Sequence, residues 1–390
     1  MNAATPTPLA MIERLVGFPT VSSETNLDLI EFVRGYLAGH GIESRLTHDD
    51  SGRKANLFAT IGPDRAGGVV LSGHTDVVPV AGQPWTSDPF TLTRRGDKLY
   101  GRGSSDMKSF IAIALALVPE FKAAGLRRPI HLALSYDEEV GCAGAPRMLK
   151  DIADNLPLPA MAIIGEPTSM QLANRHKGNV SSRTVFTGRD GHSSAPHRGC
   201  NAIFAAAEFI AWLSRLAAEF REQGPFDDSF EPPCTTINVG QIAGGTAFNI
   251  IARRCELVWE VRPLPGVDPD QIVARAQAFL QEDLLPRMRG QAEEATIETT
   301  PLCFVPPLTP QTDSPAEALI RSLTGVNAAI GVAFGTEGGQ FQRTGIPAVV
   351  FGPGSIQQAH KPDEFIEVAQ VEACIAFLRK LAAWAATVAG

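Results

Sequence analysis

Cysteine is sparse in this chain, and the six present (Cys142, Cys200, Cys234, Cys255, Cys303 and Cys374) are scattered without a Cys-x-x-Cys pair. That spacing fits neither a disulfide framework nor a thiolate zinc site, so free thiols in a reducing cytoplasm are expected. Long apolar runs are missing too: the most apolar stretch, residues 111–118, falls far short of the roughly 20 residues that span a bilayer. Residues 1–8 show no basic stretch leading into an apolar core, and the apolar positions after them are broken by Glu13 and Arg14, so no secretory leader is expected. Basic charge is not in excess either. With 34 Lys and Arg against 42 Asp and Glu the formal charge is -8, which argues against nucleic acid or an anionic membrane as partner. No internal repeat or low-complexity segment stands out.

A chain of 390 residues exceeds one ordinary compact core, so two domains are expected. Residues 5–38 read as helical around a turn at 19–23, with Leu9, Ile12, Leu15 and Val16 on one face and Leu27, Ile30, Val33 and Leu37 on the next. Apolar segments at 56–61, 69–72, 130–135 and 160–164 read as strands, and a helical pattern over 106–124 is interrupted by Pro119. Strands alternating with helices predict an α/β fold, a mainly parallel sheet covered on both faces, with sites outside the carboxyl ends of its strands. After Gly178 the texture changes. Segments 180–187, 235–239, 255–261 and 295–299 read as strands, with helices at 201–220 and 269–284, a β-α-β-β-α-β order suited to a smaller α+β domain. From about Cys303 the first texture returns. The expected organisation is a discontinuous domain over 1–179 and 301–390, with 180–300 inserted.

The apolar run 130–135 gives way, after Tyr136, to Asp137-Glu138-Glu139. Three adjacent carboxylates repel, and near the end of a core strand each unpaired charge would cost several kcal/mol or shift its pKa until neutral. Bound cations would remove the conflict; a solvated acidic loop is the plainer alternative. His74 and Asp76 lie two apart at another strand end, so both side chains point the same way. That suits an imidazole on a metal, with Asp76 accepting its other ring N–H. Asp106 stands at a helix start, where an N-cap is the ordinary role. Glu166, between Gly165 and Pro167, and His360, in a Gly/Pro-bearing segment, could each be loop residues. Taken together, imidazoles and carboxylates at successive strand ends, with no thiolate, suit Zn²⁺ or Co²⁺. The loop 101–106 has glycines but not the spacing of a P-loop or a dinucleotide fingerprint.

Gly73-His74-Thr75-Asp76-Val77-Val78-Pro79, Trp85-Thr86-Ser87-Asp88-Pro89-Phe90, Leu99-Tyr100-Gly101-Arg102-Gly103-Ser104-Ser105-Asp106-Met107-Lys108, Asp137-Glu138-Glu139 and Gly165-Glu166-Pro167-Thr168-Ser169 succeed one another along the chain. In this order they resemble the dinuclear zinc aminoacylase and carboxypeptidase family, over nearly the full length. Asn174-Arg175-His176-Lys177-Gly178, Gly191-His192-Ser193-Ser194, Arg262-Pro263-Leu264-Pro265-Gly266, Gly335-Thr336-Glu337 and Gln358-Ala359-His360 are most similar to the branch that deacetylates acetylated ornithine. Gly338-Gly339 and Gln357 depart from that branch's pattern, where bulkier residues and an Asn are expected.

The resemblance implies that Asp106 bridges two divalent ions, zinc or cobalt, that His74 and Glu166 complete one and Glu139 and His360 the other, and that Asp76 supports the site. Glu138 becomes the general base for the attacking water. The inserted domain is implied to be a lid and dimerisation surface, carrying His192 into the site of a second subunit of a homodimer to hydrogen-bond the oxyanion, with Asn249 beside it. Arg262, a planar guanidinium at a strand end, suits capture of a substrate α-carboxylate, with Lys177 and Thr336 as further contacts. No role falls to Asp137, which is expected to face a helix terminus or solvent. The implied reaction is hydrolysis of a small N-acyl amino acid, acetylated ornithine first, as in arginine biosynthesis. Succinyl-diaminopimelate or another N-acyl amino acid comes second, and non-catalytic binding of an amino acid or metal third. Glu138 separates the last, since a binding protein needs no base beside a full ligand set.

Overall fold

The structure is a computed structural model that describes residues 6–387. Residues 1–5, and with them the first residue of the helix expected over 5–38, lie outside the described residues. The chain divides into two compact units: the described residues of Met1–Arg175, Leu308–Gly331 and Thr336–Gly390 form the first, and His176–Pro307 with Val332–Gly335 the second.

The first unit opens with two amphipathic helices. Thr7 Oγ1 accepts from Ala10 N at 3.2 Å to cap Pro8–Val16, whose buried face is Met11, Ile12, Leu15 and Val16. Leu27–Gly39 comes next, with Leu29, Ile30, Val33 and Leu37 buried. The strands in chain order are β1 (Ser44–His48), β2 (Ala55–Ile61), β3 (Val69–His74), β4 (Thr93–Arg95), β5 (Lys98–Tyr100), β6 (Ile130–Ser135), β7 (Met161–Ile164) and β8 (Ala173–His176). In the second unit come β9 (Asn179–Thr187), β10 (Thr236–Gly244), β11 (Arg254–Arg262) and β12 (Thr296–Val305), and after it β13 (Ile330–Val332), β14 (Ala348–Val350) and β15 (Phe365–Glu367).

Eight strands form the main sheet, in the order β1-β2-β6-β3-β7-β14-β8-β13. Its centre, β6-β3-β7-β14, is parallel. The expectation of a mainly parallel sheet is corrected at the flanks, where β1–β2, β2–β6 and β14–β8 pair antiparallel, so the sheet is mixed. The short connection 49–54 allows β1 and β2 no other arrangement, because a parallel return needs a long crossover. Every residue of β3, β6, β7 and β14 is buried, which is why these strands read as unbroken apolar runs. The helix Lys108–Ala116 is buried at every position and forms part of the same core as Leu71, Leu132 and Ile163. A Cβ at Gly165 would fall 2.0 Å from the Phe110 ring, so only glycine lets the turn after β7 pass this helix. A small antiparallel sheet, β15-β5-β4, was not foreseen from the sequence pattern.

The second unit is a β-α-β-β-α-β fold whose antiparallel sheet runs β10-β11-β9-β12. β11 alternates buried and part-exposed residues, with Cys255, Leu257, Trp259 and Val261 on the covered face. Asn201 caps the helix Ala202–Gln223 by accepting from Ile203 N at 2.9 Å. Its Phe209 packs edge-on to Trp259 at 5.6 Å and stacks on Phe279 at 6.3 Å.

Candidate metal centre

β3 and β6 are parallel neighbours in register, with His74 beside Ser135, so the residues that leave each strand emerge at the same sheet edge. His74 and Asp76 come from the first, Glu138 and Glu139 from the second. Asp76 is 2 % exposed and does not use its carboxylate as expected. The His74 Nδ1–H donates to the Asp76 backbone carbonyl at 2.9 Å, while the carboxylate lies 3.7 Å away. The carboxylate instead accepts from Glu138 N at 3.1 Å, Glu139 N at 3.2 Å and Ser22 Oγ at 2.7 Å. Asp76 therefore orients two elements at once: its carbonyl accepts from Nδ1 and so turns Nε2 toward the centre, and its side chain anchors the 138–139 turn.

Around that edge the candidate ligands meet. His74 Nε2 lies 3.0 Å from Asp106 Oδ1 and 3.6 Å from Glu166 Oε1. His360 Nε2 lies 2.9 Å from Glu139 Oε2 and 3.4 Å from Asp106 Oδ2. Asp106 thus offers one oxygen to each imidazole, and it does not cap the helix Lys108–Ala116, which starts from Met107 without a side-chain cap. Two triplets, His74–Asp106–Glu139 and His74–Glu138–Glu166, each bring their potential ligand atoms within 4.8 Å of one another.

A cation fits this set. Asp106 and Glu166 are 5 % and 4 % exposed, yet among the described residues no Lys or Arg pairs with them, nor with Glu138 or Glu139. Glu139 Oε1 is buried without a hydrogen-bond partner, an orphan that a metal would satisfy. Burial, then the charge of Asp106, pushes Glu139 up to about 7. Burial likewise lifts Glu138 to about 8, helped by Glu139, Asp106 and Glu337 against the pull of His74, and raises Glu166 well above the usual carboxylate range. Burial would raise Asp106 too, but the hydrogen bonds from His360 and His74 outweigh it and hold it well below that range. Bonds to Asp106 and Glu139 in turn lift His360 to about 10. The group is a nest of mutually perturbed acids and bases, the electrostatic signature of a functional site.

Asp137 is not turned to a helix terminus. It pairs with Lys54, whose ammonium also donates to Ser22 O at 2.6 Å. Thr336, fully buried, accepts from Gly338 N at 3.0 Å at the start of the helix Gly338–Arg343. A Cβ at Gly338 would meet both Leu308 Cδ1 and Thr336 Oγ1 at 3.2 Å, a tight fit that either side chain would have to yield to.

The other candidates lie in the second unit. His192 and Asn249 adjoin: Ser193 N donates to Asn249 O at 3.1 Å, and His192 bridges to Ile250. Ser194 N donates to His192 Nδ1 at 3.2 Å, so that nitrogen is an acceptor and the neutral ring carries its proton on Nε2. Lys177 Nζ donates to Pro232 O and Cys234 O, both at 2.8 Å. Arg262 pairs with Glu260 at 3.0 Å while remaining part-exposed.

Two imidazoles and four carboxylates, converging beyond the ends of buried parallel strands around a place for cations, form the donor set of a metal-dependent hydrolase. The profile of peptidase family M20/M25/M40 matches residues 70–384. An acetylornithine deacetylase from Proteus mirabilis is 38% identical over 384 residues, covering 95% of this chain and 95% of that protein. Among solved structures, an M20 family metallo-carboxypeptidase from Sulfolobus solfataricus superposes with a TM-score of 0.73 at 19% identity, covering 98% of this chain and 99% of that one. A dinuclear metal-binding M20 peptidase from Bacillus subtilis gives 0.65 at 16% identity, with 97% of each chain covered. The chain belongs to peptidase family M20/M25/M40.

Proposed function

We propose that the protein hydrolyses the N-acyl amide of a small amino acid, N-acetylornithine first among them, to acetate and ornithine, a product that arginine biosynthesis consumes. The observation that carries this reading is Glu138: a half-buried carboxylate in addition to the ligands, with its backbone anchored by Asp76 and its Oε1 accepting from Cys142 Sγ at 3.2 Å. The near full-length likeness to acetylornithine deacetylases supports the choice of substrate. His74 and Glu166 would hold one ion and Glu139 and His360 the other, with Asp106 shared, zinc or cobalt suiting these donors. When bound, such ions polarise a carbonyl and lower the pKa of water.

The side chains divide the work. Glu138 takes the proton of the attacking water as the C–O bond forms and returns it to the amide nitrogen as the C–N bond then breaks and the amine leaves; a carboxyl whose pKa is raised by burial is suited to both transfers. His192, with its proton on Nε2, can donate to a developing oxyanion, with Asn249 alongside. Arg262 shares its guanidinium between Glu260 and the substrate carboxylate.

The inserted unit, proposed over 180–300, serves as lid and homodimer surface and delivers His192 in trans. Two features of that unit support pairing. β10 is an edge strand, mostly exposed from Asn238 on, and Phe204, Ile242, Phe248 and Ile250 expose apolar surface. The described cysteines are free thiols, as a cytoplasmic enzyme requires, and no described helix is long and apolar enough to cross a membrane. A panel of N-acetyl and N-succinyl amino acids, assayed on chelator-stripped protein with zinc or cobalt restored, tests the assignment. Fastest turnover on N-acetylornithine is expected; metal-independent turnover, or none on any N-acyl amino acid, refutes it.

A further inference from the structure

The turn that presents Asp106 and the loop that presents His360 are tied together behind the candidate ligands. Glu364 is 1 % exposed, and its carboxylate is filled with donors. Oε1 accepts from Ser105 N at 2.7 Å and Asp106 N at 3.0 Å, and Oε2 from Gly103 N at 3.1 Å and the Arg102 guanidinium at 2.8 Å. With both oxygens committed, Glu364 has none to offer a metal. What it holds is the backbone of Asp106 itself.

Arg102, equally buried, extends the tie toward His360. It donates to Lys361 O at 3.3 Å and to Gln83 Oε1 at 2.5 Å, and Gln83 Nε2 donates to His360 O at 3.0 Å. The Trp85 ring covers the guanidinium, with Cζ 5.0 Å from its centre, and the indole N–H also donates to Gln83 Oε1, at 3.0 Å. His360 has a φ of 63°, a conformation that a non-glycine residue keeps only where its surroundings hold it there.

We propose that Glu364, Arg102 and Gln83 form a clamp that fixes the spacing between Asp106 and His360, and so sets the affinity for the ion that these two residues share with Glu139. The proposal rests on the dinuclear reading of the site. These are positioning residues, acting on ligands through backbone and charge. A planar, bidentate-capable guanidinium suits the task because it must serve three acceptors in fixed directions; the single ammonium of lysine cannot.

The test uses full-length protein stripped with chelator and titrated calorimetrically with Zn²⁺, comparing wild type with Gln83→Ala, Arg102→Lys and Glu364→Gln. Wild type is expected to bind two ions. In each variant one of the two binding events should weaken by about tenfold to a hundredfold, the effect typical when a partner of a metal ligand is lost. In Gln83→Ala, which acts on the His360 side alone, the other event should stay unchanged, whereas in Glu364→Gln, which loosens the shared Asp106, it should weaken less than the first. With Co²⁺ in place of zinc, the absorption spectrum should change for the weakened site only, and KM at saturating metal should match wild type. In Glu364→Gln the amide sets donors against Gly103 N and Arg102; should that variant not fold, part-exposed Gln83, which leaves the ion pair in place, decides alone. Wild-type affinity for both ions in Gln83→Ala and Arg102→Lys overturns the clamp. So does equal weakening of both events together with a lower melting temperature of the stripped protein, which would mark a merely structural pair. If wild type binds no pair of ions, the dinuclear reading fails first and the clamp falls with it.

Discussion

Glu138→Gln exchanges a carboxylate for an amide of the same shape in a pocket where geometry and charge can be separated. The residue is half-buried, its backbone N–H is held by Asp76, and Cys142 Sγ–H would still find an oxygen to donate to. His74, Asp106, Glu139, Glu166 and His360 all keep their places, so both ions should still bind. What disappears is the proton acceptor. General acid–base help of this kind is worth about 10² to 10⁴ in rate, or roughly 3 to 5 kcal/mol of barrier.

The same substitution has a consequence independent of turnover. Burial, then neighbouring acids, lifts the Glu138 pKa from its ordinary 4.5 to about 8, so across that interval the folded, stripped protein binds more protons than the unfolded chain. Stability contributed by Glu138 is therefore present below the unfolded pKa and is lost as pH rises through the folded one. Gln carries no such penalty. Stripped Glu138→Gln should melt above stripped wild type at pH 9, and the difference should shrink toward pH 5. The assays are kcat on N-acetylornithine with metal restored, metal content by elemental analysis, and melting temperature against pH after chelation. A kcat within tenfold of wild type with both ions present would falsify the base assignment, and equal melting at pH 9 would remove the electrostatic account of the pocket.

Mixing inactive His192→Ala and Glu138→Ala subunits should restore activity, since in a mixed dimer one site combines an intact Glu138 with an intact His192 from its neighbour. Random exchange predicts about a quarter of wild-type activity; none, with exchange confirmed by mass spectrometry, rejects action in trans. In the second unit His176 is fully buried, its Nδ1–H donating to Lys177 O at 2.8 Å and its Nε2 without a partner, and burial lowers its pKa to about 4. The folded state then binds fewer protons than the unfolded one between roughly pH 6.5 and 4, so stability falls as pH drops through that window, by at most about 1.4 kcal/mol per pH unit from this residue. The urea midpoint of His176→Gln should fall less steeply than that of wild type over this window; identical slopes would show that His176 does not titrate there.

The residues that meet at the sheet edge were legible in the sequence because chemistry of one kind recurs at the ends of apolar runs. His74 closes β3, Asp137-Glu138-Glu139 come after β6, and Glu166 after β7, each run being apolar because both faces of its strand are covered. Strand direction was not legible. Antiparallel β1 and β2 differ in burial but not in any pattern that reports orientation, and β8, β13, β4 and β5 are too short or too polar for a period of two to stand out. The charges that support the ligands were least visible. Lys54 lies 83 residues from Asp137, and Glu364, in a Lys-Pro-Asp-Glu segment, looks like any solvated loop acid until the fold brings it under three amides of the Asp106 turn. Ligand atoms must be of particular chemical types, so they leave a mark in the sequence, whereas any residue that the fold brings within reach can support them. Arg102 came nearest to being readable: in Gly101-Arg102-Gly103 a large cation sits between two residues without side chains. Gly103 takes a φ of 81°, and a Cβ there would lie 2.9 Å from Val77. A Cβ at Gly101 would likewise lie 2.8 Å from Val16, so both neighbours of Arg102 are glycine because the turn runs close against core side chains, and it is along that close path that Arg102 meets Glu364.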